Sequence, residues 1–376
     1  MNSASLQCEP VPVLDLAAQY RSIEKEIHSA IHRVLESQHF ILGPEVKALE
    51  QEVAQYCGRR FGVGVASGTD ALTLALCACG IGPGDQVIVP SFTFIATADC
   101  VSLLGATPVF ADIDPETFCI DPLQVARKIN RRTKAIVPVH LYGQAADMEP
   151  ILKLARAHHL RVIEDTAQAI GARYNGKKAA SMGDAGCLSF FPSKNLGGYG
   201  DGGMVVTDSE EMANHLRSLR AHGTTRKYFS VRQGWNSRLD ELQAAILRVK
   251  LGHLDDWASA RRERAATYAR LLGQISSITL PGTLPGREHV FHQYTIRVPK
   301  RDAVLKTLTE RGIGSTVYYP VPIHLQPIYD SLGYKQGDLP ETERAASEVL
   351  SLPIYPELTD AQMESVAAAL ADAMHT

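Results

Sequence analysis

The chain has 376 residues, enough for about two domains with substantial cores. With 45% apolar and 21% charged residues it has the composition of a soluble globular protein, and a formal charge of -3 gives neither nucleic acid nor an anionic membrane a bulk electrostatic hold. No run of about 18 apolar residues offers a membrane span, and residues 1–12 lack the basic start and apolar core of a signal peptide, so a cytoplasmic protein is expected.

Residues 61–65 read as a first strand, after which Ser67, Gly68 and Thr69 open a helix. The free N–H groups and positive dipole end of such a helix suit a phosphate, although Ser67 is equally an ordinary N-cap. Short apolar runs at 87–89, 107–110, 135–139, 161–163, 186–190 and 203–206 read as strands, alternating with helical patterns at 123–129, 148–158 and 210–220. That alternation predicts βαβ units and a mainly parallel sheet. Glu164 and Asp165 close the strand at 161–163, where open sheets face a ligand crevice, or where an acid merely caps the next helix. His140 is expected as a satisfied buried histidine.

Lys194 stands in the run SFFPSKNLGGYGDGG, among aromatic and glycyl neighbours. Desolvation there would lower its pKa and free its amine for Schiff-base chemistry, against the plainer reading of a solvated loop lysine. The glycines at 198–203 formally match G-x-G-x-x-G, but they precede a strand instead of following one, which argues against a dinucleotide fingerprint. Beyond them a helix is expected over 239–272, a strand over 293–298, a helix over 303–311, a strand over 315–319 and a closing helix over 360–374. The division that follows is a large domain over 1–250 and a bridging helix with a smaller α+β domain over 251–376. Seven cysteines, at 8, 57, 77, 79, 100, 119 and 187, are odd in number and contain no C-x-x-C, so reduced thiols are expected.

A phosphate cup, a strand-end aspartate and a lysine in a glycine-rich loop, in that order, form the set that a fold-type I pyridoxal phosphate enzyme needs. The motifs VPVLDLAAQY, FILGPEV, SGTDALTLAL, VPVHLYGQAADM, VIEDTAQAIGA, FFPSKNLGGYGDGGMV and NSRLDELQAAIL follow one another through the chain. Together they resemble the DegT/DnrJ/EryC1/StrS family of pyridoxal-phosphate-dependent aminotransferases acting on nucleotide-linked keto sugars, over about residues 11–356. The resemblance implies that Lys194 carries the cofactor as a Schiff base, Asp165 pairs with the pyridinium nitrogen and Gln168 meets the ring hydroxyl. It also implies that Gly68, Thr69 and Ser189 hold the phosphate, and that Phe94 stacks on the ring. Asn236 matches an asparagine that reaches the phosphate from the neighbouring subunit of a homodimer. Arg238, Tyr318, Tyr319 and His324 are expected at the substrate, Tyr318 standing where many relatives carry histidine. L-Glutamate, returned as 2-oxoglutarate, is the implied amino donor. Asp70 and Tyr142 favour amination at C3 of the sugar. A C4-acting enzyme, a sugar dehydratase and a non-catalytic regulator of the same fold are the alternatives, the dehydratase disfavoured by Lys194.

Overall fold

The computed structural model describes residues 10–374, so Cys8, one of the expected thiols, lies outside the described residues. Two helices not among the expected elements come first, α1 (Leu16–Ser37) and α2 (Pro44–Cys57). Asp15 caps α1 by accepting from Ala18 N, and Ile23, Ile27, Ala30 and Val34 form its buried stripe at helical spacing. Proline at the first position of α2 costs no hydrogen bond, because that N–H has no partner in any helix.

The sheet begins with β1 (Phe61–Val65), followed by α3 (Gly68–Ala78), β2 (Gln86–Pro90), α4 (Ala96–Leu103), β3 (Thr107–Ala111), α5 (Pro122–Lys128) and β4 (Thr133–Ile136). It continues through α6 (Met148–His158) and β5 (Arg161–Asp165), a small hairpin of β6 (Arg173–Tyr174) and β7 (Lys177–Lys178), then β8 (Ala185–Ser189), β9 (Gly203–Thr207) and α7 (Glu210–Leu219). The seven large strands lie in the order β1-β9-β8-β5-β4-β2-β3. Only β9 runs against its neighbours. Its inner strands are buried on both faces and therefore read as unbroken Val, Ile and Ala runs.

A hairpin of β10 (Thr224–Arg226) and β11 (Phe229–Ser230) leads to α8 (Glu241–Leu272). This helix passes through the expected boundary at residue 250: Ala244, Leu247 and Leu254 pack in the core beside β9, whereas Ala265, Tyr268 and Leu272 pack in the C-terminal core. That second core is completed by β13 (Tyr294–Arg297), α9 (Arg301–Glu310), β14 (Val349–Leu352) and α11 (Asp360–Met374), while β12 (Arg287–Glu288) pairs back to β6 and α10 (Pro340–Glu348) packs on the large core. Val11 also belongs to it, bridging to Ile313, and Ile323, Tyr329 and Leu339 pack on the large core instead.

Residues 315–319, expected as a strand, form only the isolated bridge of Thr316 to Ser351. Pro320 and Pro322 follow at once and supply no N–H for a ladder, and Tyr318 and Tyr319 turn to a cavity instead of pairing. Six cysteines are free among the described residues, as expected for reduced thiols. The groups around His140 satisfy it: Ala146 N donates to Nδ1, so Nε2 carries the hydrogen and donates to buried Glu164 at 2.9 Å.

Candidate active site

The carboxyl ends of β1, β5 and β8 meet at one edge of the sheet, the place where open α/β sheets hold ligands. A cavity of about 570 Å³ opens there. Ser67, Gly68 and Thr69 line it from the start of α3, Asp165 and Gln168 from the end of β5, and Ser189 and Lys194 from beyond β8. Tyr318 and Tyr319 close it from the C-terminal part.

The Ser67 hydroxyl accepts from Asp70 N at 3.0 Å and so caps α3, which leaves the amides before Asp70 without helical partners. Gly68 sits against Ser189 so closely that a Cβ on it would fall 2.6 Å from the serine Cβ. Only glycine lets the helix start and the β8 end form one concave wall. An anion is the natural occupant of that wall, since amides and a hydroxyl converge there with the positive end of an 11-residue helix.

Asp165 is 5% exposed. Thr97 Oγ1 donates to Oδ2 at 2.9 Å and Ala167 N donates to Oδ1 at 3.1 Å, which locks the carboxylate in orientation. Burial pushes its carboxyl above the ordinary value, against the pull of those two donors, Lys194 and His140. A buried acid of this kind gains most from a cationic N–H partner. Lys194 is half-buried at the cavity wall, and its amine makes no hydrogen bond or ion pair with the described residues. Loss of water pushes its pKa below the ordinary lysine value, while the charge of Asp165 pulls it upward. An amine held this way is more readily deprotonated to its nucleophilic form than a solvated lysine.

Gln168 is fixed at both ends. Tyr142 N donates to its Oε1 at 2.8 Å, and its Nε2 donates to Tyr319 Oη at 3.0 Å. Tyr142 itself is buried behind the wall and donates to the Tyr318 carbonyl, so its contribution to the site passes through Gln168 and Tyr318. Phe94 is 55% exposed on the cavity rim with its ring 6.2 Å from that of Tyr319. A core phenylalanine would not be left in that state.

Three expected site residues lie outside the cavity. His324 is a correction: its backbone N donates to Ser91 Oγ, Ser91 Oγ donates to Nδ1 at 2.7 Å, and Nε2 donates to Glu343, so it fastens the end of β2 to α10. Asn236 is exposed and Arg238 half-exposed on the segment before α8, and neither faces this chain's own cavity. Asp70 is also set back, accepting from Ser237 Oγ at 2.6 Å. Thr97 and His292 belong to the site but were not singled out in the sequence. A threonine at the start of the helix that follows SFTF was the available signal for the first; the second stands directly before the expected strand at 293–298, where it reads as core.

The model of the DegT/DnrJ/EryC1/StrS aminotransferase family matches residues 21–371. The chain belongs to this family. Similar members include a protein of Geobacillus stearothermophilus named "Pleiotropic regulatory protein", 54% identical over 96% of this chain and 98% of the relative. Another is the "UDP-N-acetyl-3-dehydro-alpha-D-glucosamine 3-aminotranferase" of Acidithiobacillus ferrooxidans, 49% identical over 97% of this chain and 98% of the relative. Among solved family structures, DesV of S. venezuelae, crystallised with a ketimine intermediate, superposes with a TM-score of 0.96 at 46% identity, covering 98% of this chain and 100% of that one. The family is one of pyridoxal-phosphate-dependent aminotransferases with the α/β fold described above. The residues present fit that cofactor: the Gly68–Ser189 wall for a phosphate, a buried acid for a pyridinium and an unpartnered amine for an aldehyde.

Proposed function

We propose that this enzyme transfers an amino group from L-glutamate to the C3 keto group of a nucleoside-diphosphate-linked sugar. The observation that carries the reading is the single cavity shared by Lys194, Asp165 and the Gly68–Ser189 wall. The choice of C3 draws support from the substrate named for the Acidithiobacillus relative and from Asp70 and Tyr142, which act through Ser237 and Gln168 instead of touching the ligand.

Bound pyridoxal phosphate supplies an electron sink for the negative charge left on carbon when a proton departs. Gly68, Thr69 and Ser189 would hold its phosphate, Asp165 would keep a proton on its ring nitrogen, Gln168 would meet its ring hydroxyl, and Phe94 would cover the ring face. Asp165 does this by staying anionic beside that N–H, a charge-assisted bond that offsets the cost of its burial. Lys194 works at Nζ: the neutral amine accepts a proton from the substrate carbon and returns it, a role that its lowered pKa supports. Tyr318 and Tyr319 exclude water and face the sugar.

The reading includes a homodimer in the cytoplasm, with Asn236 and Arg238 completing the partner's cavity. Their position outside their own cavity supports it, as do the exposed apolar side chains of Phe40, Ile41, Tyr228, Phe229 and Trp235. No helix among the described residues is long and apolar enough to cross a membrane. Residues 1–250 would hold the cofactor and 251–376 would supply the substrate-side wall.

Incubation of the enzyme with C3-amino and C4-amino nucleotide sugars plus 2-oxoglutarate tests the reading, with glutamate release as the signal. Glutamate from C3-amino compounds is the expected result. Turnover of C4-amino compounds alone overturns the C3 assignment. A chain that takes up pyridoxal phosphate and turns over neither class favours a regulator, the reading that the name of the Geobacillus relative supports.

A further inference from the structure

The chain doubles back on itself around Lys194. Lys194 N donates to Phe191 O at 2.9 Å and Gly198 N donates to Phe190 O at 2.8 Å, so the loop over 190–198 is closed at its base with Lys194 inside it. Gly197 packs on that base: a Cβ there would fall 2.3 Å from Pro192 O, so the approach requires glycine. Helix α8 holds the loop from outside. Gln243 Oε1 accepts from Tyr199 N at 2.8 Å and, two turns further along the helix, Lys250 Nζ donates to Gly197 O at 2.8 Å. Lys250 is 1% exposed, a burial that lysine rarely tolerates without an ionic partner, yet it makes no ion pair among the described residues. Its ammonium rests between the Gly197 carbonyl and the ring of Tyr199, whose centroid lies 4.4 Å away. Burial lowers its pKa to about 8, and Glu357 opposes this by its charge alone.

We propose that Lys250 is a positioning residue for Lys194, holding through the Gly197 carbonyl the loop from which that amine reaches the cavity. The inference rests on the reading of Lys194 as the working amine. A long flexible side chain can be aimed only as well as the backbone beneath it, and Phe191, Ser193 and Lys194 all line the cavity from this one loop. Packing alone does not call for an ammonium at Lys250. An apolar side chain of similar length would fill the space without the cost of burying a charge. What the charge adds is a hydrogen bond to the carbonyl roughly twice as strong as a neutral one. It does so where no backbone N–H among the described residues donates to Gly197 O.

The test sets two probes against the full chain stripped of cofactor. Pyridoxal phosphate forms a Schiff base with Lys194, followed by absorbance and located by borohydride reduction and peptide mass. Pyridoxamine phosphate is itself an amine, so its binding draws on the phosphate wall and Asp165 without using Lys194. Lys250→Met, of similar length and without a donor, should slow Schiff-base formation at least about tenfold, as a misplaced reacting group does, while pyridoxamine phosphate binds with unchanged affinity. A general loosening of the fold would weaken both. An unchanged rate in Lys250→Met overturns the proposal, and so does a rate lost together with the pyridoxamine phosphate affinity. Should that variant fail to fold, Lys250→Gln takes its place: its shorter side chain withdraws the donor from the carbonyl, and the same pair of measurements supports or overturns the proposal. Wild-type chain in which borohydride fixes no pyridoxal phosphate on Lys194 overturns the reading of Lys194 as the working amine, a result distinct from any difference between variants.

Discussion

At Lys194 two opposed influences, loss of water and the charge of Asp165, leave an unpartnered amine that holds its proton less tightly than a solvated lysine. Lys194→Ala should abolish turnover while pyridoxal phosphate is still held without a covalent link, which equilibrium dialysis and an activity assay together would show; near wild-type transamination would remove Lys194 from the reaction. Gly68→Ala asks about the opposite wall. With its Cβ 2.6 Å from that of Ser189, the added methyl must push the helix start away from β8, so cofactor affinity should fall at least about tenfold, or about 1.4 kcal/mol, without loss of the fold. Fluorescence titration of the cofactor-free variant measures it. These residues were legible in the sequence because each sits beside a strand end or in a glycine-rich loop, and those positions are readable as patterns. Asn236 and Arg238 were legible only through the family resemblance, for nothing within one chain gives them a site.

Among the elements, α2 and α8 are joined by a cap that local sequence does not announce. Glu241, the first residue of α8 and 1% exposed, accepts from Gly43 N, Glu45 N and Val46 N at 2.7, 2.8 and 2.9 Å, so a side chain almost 200 residues away closes the start of α2. Charge-assisted bonds of this kind are worth about 1.5–3 kcal/mol each before desolvation is counted, so Glu241→Ala should cost on the order of 3 kcal/mol in urea unfolding. A loss under about 0.5 kcal/mol, the size of an ordinary surface substitution, would mean that water caps α2 as well as the glutamate does. The same long-range character explains what the sequence left out. Alternating strands and helices of the large core announce themselves by period, whereas α1 and α2 present many charged residues and bury their apolar stripes only in tertiary packing, α1 against α8 and α2 against α8 and the sheet. Residues 315–319 had the composition of a strand but not the freedom to pair, with two prolines directly behind them.

For the whole molecule, acid stability should be set in part by two buried imidazoles. Burial lowers the His289 pKa to about 3 and holds His292 well below its ordinary value, whereas both titrate near 6.5 in an unfolded chain. Below pH 6.5 the unfolded chain therefore binds more protons than the folded one, so stability falls as pH drops and this contribution is lost progressively toward pH 3. From pH 6.5 to 5 the His289 imidazole accounts for about 1.7 kcal/mol, so His289→Leu should flatten the pH slope of the urea midpoint. A slope that does not change would assign acid lability to the carboxylates. The continuity of α8 through both cores bears on any attempt to divide the protein. Severing the gene at residue 250 would leave the first piece with a truncated helix beside β9 and the second with Ala265, Tyr268 and Leu272 on a helix that has lost its start. The two pieces should be insoluble when expressed apart and should reassemble when expressed together, so that this enzyme lends itself to a split reporter whose signal depends on the halves meeting.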